Sequence, residues 1–210
     1  MHPNPVFHTQ TPARNIAFAR ARSFGILAVS AEAAPMLSHV PFLIDEPGET
    51  LALHLLRSNP IARALQTGPV PARIAVSGPD SYVSPDWYEI PDQVPTWNYV
   101  AVHLTGTLER RPDAELHALL DRQSAHFETQ LLPKTPWTTD KMSEDVMARM
   151  MRAIVPCRMR IDDVEGTWKL NQNKPTDVRL RAADQVASSC QGSECAQLAA
   201  LMRAADGHGG

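Results

Sequence analysis

The segment LALHLLRSNPIARAL, residues 51–65, gathers residue types suited to holding an anion. Asn59 is a strong helix N-cap and Pro60 suits a first helical position. A helix starting there would turn free backbone N–H groups and its positive dipole end toward the end of the preceding strand. Arg57 and Ser58 stand directly before the cap. Arg57 can supply a forked pair of donors, and His54 adds a third group if it faces the same way. The same residues also suit a plain capped helix beside a solvated arginine.

The stretch VPTWNYVAVHLTGTLE, residues 94–109, is the second candidate. Period-two alternation places Val100, Val102, Leu104 and Leu108 on a core face. Tyr99, Ala101, His103, Thr105 and Thr107 form a semi-polar face that a ligand or partner chain could cover. Trp97 and Asn98 stand side by side before it. They suit either an aromatic platform with an amide reading a heteroaromatic edge, or a barrel-end plug with a capping amide. In LSHVPFLID, residues 37–45, Val40, Phe42 and Ile44 alternate with His39, Pro41, Leu43 and Asp45. Pro41 lacks a ladder donor, which predicts a sheet edge or bulge there. GTWKLNQNKP, residues 166–175, offers Lys169, Gln172 and Asn173: one cation and two amides, or a polar turn.

Other chemistries lack their residues. His39, His54 and His103 fall on strands, but a barrel metal site usually needs a carboxylate and paired histidines, often as H-x-H. No G-x-S-x-G, H-E-x-x-H, Walker-type loop or G-x-G-x-x-G is present, and no carboxylate pair stands out as an acid/base couple. With 20 Lys and Arg against 23 Asp and Glu, the formal charge is -3. That balance gives no electrostatic footprint for nucleic acid. The three cysteines include no Cys-x-x-Cys pair, so neither a disulfide framework nor a zinc ribbon is indicated. No apolar run approaches a membrane span and no signal-peptide core is evident, so a cytoplasmic location is the expectation.

Strands at 23–30, 37–45, 50–56, 71–78 and 99–109 must carry these residues. Their spacing is too short for repeated crossover helices and predicts an α+β fold: an antiparallel barrel with peripheral helices. Eighteen prolines, many in the middle of the chain, also disfavour a helical bundle. A short helix with Thr11 as cap precedes the strands. Helical periodicity between 112 and 152 puts Leu116, Leu119, Leu120, Phe127 and Leu131 on one stripe. It also predicts a second helix from Ser143 whose Val146, Met147, Met150 and Met151 fill core. IVPCRMRIDDV, residues 154–164, is expected as the barrel-closing strand. The expected domain spans 1–177 with a helical insertion at 112–152, and residues 178–210 form a weakly helical or partly disordered tail.

SHVPFLID, LHLLRSNP, GPDSYVSPDWY, VPTWNYVAVHLTG, MMRAIV and EGTWKLNQNKP together resemble the FMN-binding negative transcriptional regulators, the PaiB-like family of the flavin-binding split barrels. The resemblance runs from about residue 15 to 175 and implies a homodimeric split β-barrel with FMN in the groove between protomers. Arg57, Ser58 and Asn59 would then cradle the phosphate, with His54 near it. The backbone of His39, Val40, Pro41 and Phe42 would run beside the flavin ring. Trp97, Asn98, Lys169, Gln172 and Asn173 would surround ring and ribityl chain, some donated by the partner. A regulatory or stress-linked role is implied, acting through another protein, with NAD(P)H as a further candidate partner; the mildly acidic chain and the lack of a helix-turn-helix pattern argue against direct DNA binding. A flavin-dependent oxidoreductase or flavin reductase resembling pyridoxamine-phosphate oxidases is the alternative. The anion site would also suit F420 or pyridoxal phosphate.

Overall fold

A computed structural model describes residues 1–206. Its strands are β1 (Phe24–Val29), β2 (Met36–Ile44), β3 (Thr50–Leu56), β4 (Val70–Val83), β5 (Thr96–Arg110), β6 (Ile154–Lys169) and β7 (Gly192–Ser193). The helices are α1 (Pro12–Arg22), α2 (Pro60–Ala64), α3 (Leu116–Thr129), α4 (Glu144–Met151), α5 (Thr176–Ser189) and α6 (Cys195–Ala204). The sheet order is β1-β2-β3-β6-β5-β4-β7, and a further pairing of β1 with β4 turns the first six into a ring. The pairings β1–β2, β1–β4, β2–β3, β3–β6 and β4–β7 are antiparallel. This is the α+β antiparallel barrel that the strand spacing predicts, of the split-barrel class that the family resemblance implies. β6 lies between β3 and β5 and joins the two ends left by the earlier strands, so the late strand completes the ring as the sequence suggests.

The chain divides into two compact units. One comprises 19–75 and 104–164. Its interior is formed by Leu27, Val40, Phe42, Leu51, Leu53, Ile74, Leu104, Leu108 and Met159, all buried. Each is the inward member of a period-two strand, with apolar burial as the driving term. β2 pairs with β1 as far as Pro41 and with β3 from Phe42 onward. Pro41 therefore has a strand partner on one side only, at the point where β2 changes partner, which is the one-sided edge position that its missing donor predicts. Gly106 permits a close approach of β5 to β6: a Cβ there would stand 1.7 Å from the carbonyl oxygen of Arg160.

The other unit comprises 1–18, 76–103 and the chain from Glu165 onward. Val83, Tyr88, Val100, Trp168 and Leu170 pack with Val178, Ala182, Ala183, Val186, Leu198, Ala199 and Met202 in one core. The region expected as a weak tail thus supplies two helices with fully buried faces. Small alanines let α5 and α6 approach closely, and a bulkier residue would hold them apart. Cys190 and Cys195 are joined as a disulfide, contrary to the expectation from cysteine spacing. Residues 207–210 of the expected tail lie outside the described residues.

Leu198 is fully buried, so Leu198→Ala should lower unfolding stability by about 2–5 kcal/mol in urea titration. The exposed Gln197→Ala should shift it by less than about 0.5 kcal/mol. Equal small effects would mean that α6 is not part of the core.

Candidate functional site

In the unit 19–75 and 104–164, the turn after β3 is built as the sequence indicates. Asn59 is extended, and its Oδ1 accepts from the Ile61 N–H at 2.9 Å, with Pro60 opening α2. Its Nδ2 donates to Ser38 Oγ at 3.1 Å, which ties β2 to the turn. Arg63, one turn into α2, donates to the Ser58 carbonyl at 2.7 Å. The Ser38 hydroxyl, the Asn59 amide and the Arg63 guanidinium therefore meet at one turn, which also carries Ser58.

Arg57 is engaged differently. Its guanidinium donates to the carbonyls of Arg152 and Ile154, each at 3.0 Å, and pairs with Asp113 at 3.1 Å. The arginine pins the segment before β6 to the end of β3, and a phosphate would have to compete with all three partners. Ser38 and Arg63, absent from the sequence-based set, are better placed. Ser38 is separated from the turn by a whole hairpin, so no local pattern reveals it.

On β2, Val40 and Phe42 are buried side chains, leaving only their backbone to face a ligand, whereas His39 is exposed and stacks on Phe24 at 6.4 Å. His54 turns toward α3. Gln123 Nε2 donates to the Pro41 carbonyl at 3.4 Å, which leaves its Oε1 to accept from His54 Nδ1 at 2.9 Å. Neutral His54 therefore carries its proton on Nδ1 and presents Nε2 as a lone pair.

The remaining candidates lie in the unit of 1–18, 76–103 and 165 onward. β5 begins at Thr96, so Trp97 and Asn98 are strand neighbours and point to opposite sides. Trp97 is 49% exposed and meets Tyr82 edge-on at 6.4 Å. Asn98 is fully buried, with Nδ2 against Met202 Sδ at 3.5 Å and Oδ1 without a hydrogen-bond partner. Gln172 is buried and locks its own turn, accepting from Leu170 N and donating to the carbonyls of Trp168 and Val6. Lys169 donates to Thr96 Oγ1 and lies 5.8 Å from the Phe7 ring centroid, and burial lowers its pKa. Asn173 is exposed. Of the five residues, Trp97 and Asn173 present free side-chain surface, while Asn98 and Gln172 are committed internally.

A cavity of about 630 Å³ in the first-described unit is lined by Arg20, Asp45, Arg111, Arg122, His126 and Arg158 among others. Its arginines are already engaged: Arg20 donates to the Glu46 carbonyl at 3.1 Å and Arg122 to the Ala118 carbonyl at 3.3 Å. Arg158 and Arg111 both grip Glu109, at 2.9 and 3.0 Å, and hold that carboxyl below the usual range. Arg111 also pairs with Glu115 at 2.9 Å.

The family model described as "Putative FMN-binding domain" matches residues 1–163. The chain belongs to this family. The "Protease synthase and sporulation protein PAI 2" of Bacillus subtilis is 27% identical over 191 residues, covering 88% of each chain. An uncharacterised protein of Aspergillus fumigatus is 29% identical, covering 74% of this chain and 78% of its own. Among solved structures, the FAD- and heme-binding protein of Mycobacterium smegmatis aligns at TM-score 0.57 and 17% identity, covering 89% of this chain and 82% of its own. The flavocytochrome Anf3 of Azotobacter vinelandii aligns at 0.51 and 13%, covering 74% and 66%. At such identities the two structures show the shared split-barrel fold alone. Family membership assigns FMN as the cofactor, and Ser38, Ser58, Asn59 and Arg63 are the polar groups at this turn that could hold its phosphate. Lys169, Gln172 and Asn173 fall beyond the matched residues.

Cys157 is a buried free thiol on the barrel interior, and burial pushes its pKa up to about 12. It should resist alkylation by N-ethylmaleimide at pH 8 in the native protein and react once urea unfolds the chain. Rapid native labelling, read by mass spectrometry, would contradict this burial.

Proposed function

We propose that this protein is a homodimeric FMN-binding protein with a regulatory or stress-linked role, its flavin held in a groove between two copies. The observation that carries the reading is the convergence of Ser38, Ser58, Asn59 and Arg63 at the start of α2. The hydroxyls and the Arg63 guanidinium would take the phosphate oxygens, and Asn59 would keep the turn in shape. The β2 backbone from His39 to Phe42 would follow the ring. His54 orients α3 through Gln123 in this reading, and does not touch the phosphate. When bound, FMN supplies electron-transfer chemistry that no side chain here provides.

The dimer is supported by the odd-numbered face of β5. Trp97, Tyr99, Ala101 and His103 alternate with buried neighbours and are exposed or half-buried. A semi-polar, aromatic strip of this kind suits a self-complementary two-fold contact, and Trp97 would reach the flavin of the partner. The name of the PAI 2 relative refers to sporulation, in line with a stress-linked role.

FMN titration followed by flavin fluorescence, with mass measured in solution, tests the reading. One FMN per protomer of a dimer is expected. Arg63→Ala should weaken FMN about 10–100-fold through a lost charge-assisted bond while leaving the melting temperature nearly unchanged. Arg57→Ala should do the reverse, lowering stability more than affinity. Trp97→Ala should weaken FMN binding without unfolding the protein. If Arg57→Ala abolishes binding and Arg63→Ala does nothing, the phosphate assignment fails. NADH or NADPH consumption with FMN present would move the role toward a flavin reductase.

A further inference from the structure

In the unit 19–75 and 104–164, α4 is amphipathic, yet none of its residues is fully buried. Its apolar side, with Met147, Met150 and Met151, does not fill the core as helical periodicity suggests. Together with Trp137 it walls a cavity of about 390 Å³. His54 of β3 and Ser124 of α3 also line it. This volume falls within the range of small-molecule sites.

The lining defines the ligand. It contains no Asp, Glu, Lys or Arg, so a charged molecule would lose its hydration without compensation. Methionine sulfurs and an indole favour contact with aromatic rings, and unbranched methionines adapt to rings of different outline. One polar feature is directional. The Pro41 carbonyl orients the Gln123 amide, Gln123 fixes the proton of His54 on Nδ1, and the His54 Nε2 lone pair remains as an acceptor. His54 belongs to this cavity's wall, so a ligand bearing a hydroxyl or N–H donor would be recognised there, with the Ser124 hydroxyl as a second partner.

We propose that this methionine-lined cavity binds an uncharged aromatic molecule carrying a hydroxyl, which donates to His54 Nε2. The site does not depend on the flavin assignment, because its walls use none of Ser38, Ser58, Asn59 or Arg63. Binding would couple to the β2 backbone through Gln123, since a ligand bonded to His54 acts on the same side chain that holds Gln123 to the Pro41 carbonyl.

The test uses the full-length protein with methionine ε-methyl groups labelled with carbon-13, titrated with 2-naphthol and with naphthalene at neutral pH. Both titrations are run with and without FMN. Saturable shifts of the Met147, Met150 and Met151 methyls are expected, while the barrel-core Met159 stays put. 2-Naphthol should bind up to about tenfold tighter than naphthalene, as one neutral hydrogen bond allows. His54→Phe should erase that preference while keeping both ligands. Met150 is 57% exposed, so Met150→Glu should fold normally and lose both. The proposal is overturned if the cavity methyls do not shift, if Met150→Glu binds as well as the parent, or if the two ligands bind equally before and after His54→Phe.

Discussion

A pleated strand cannot turn adjacent side chains to the same side, and this alternation governs what the molecule can bind. On β5 it sends Val100, Val102, Leu104 and Leu108 inward and leaves Tyr99, Ala101, His103, Thr105 and Thr107 half-buried. On β2 it buries Val40 and Phe42, so that from Val40 onward only backbone and odd-numbered side chains are available to a ligand, while Ser38 nearer the strand start remains partly open. It also separates Trp97 from Asn98, giving one to the surface and the other to the core.

With the inward set spent on packing, function falls to outward residues and strand ends. The turn from β3 into α2 is one such end, and the Asn59–Ser38 bond makes it a joint between two hairpin strands. Arg57 shows how a charge beside such a turn can be taken by structure: two carbonyls and Asp113 hold it to the chain before β6. Arg63 carries charge to the same turn from one helical turn later. α3 is coupled to the sheet by Gln123, which bridges the Pro41 carbonyl and His54.

Local patterns made much of this legible. The cap at Asn59 and the helix start at Pro60 follow from propensity. So does Thr11, whose Oγ1 accepts from Arg14 N in the first turn of α1. The β5 faces follow from period two alone. The role of Asn98 was not legible, because the residue that covers it, Met202, lies 104 positions away on a helix of ordinary composition. The methionines of α4 carry the pattern of core residues, and only the absence of a fully covering layer turns them into a cavity wall.

The sequence by itself determined the strands, the antiparallel class, the apolar inward sets and the capped turn, because these depend on neighbours within a few residues. Tertiary structure decided which polar groups remain available. Arg57 and Gln172 are committed to partners, Asn98 is buried against Met202, Ser38 and Arg63 are brought to the turn, and α5 and α6 join a core. Hydrogen-bond saturation and burial depend on distant segments meeting in space, and no local pattern encodes that meeting.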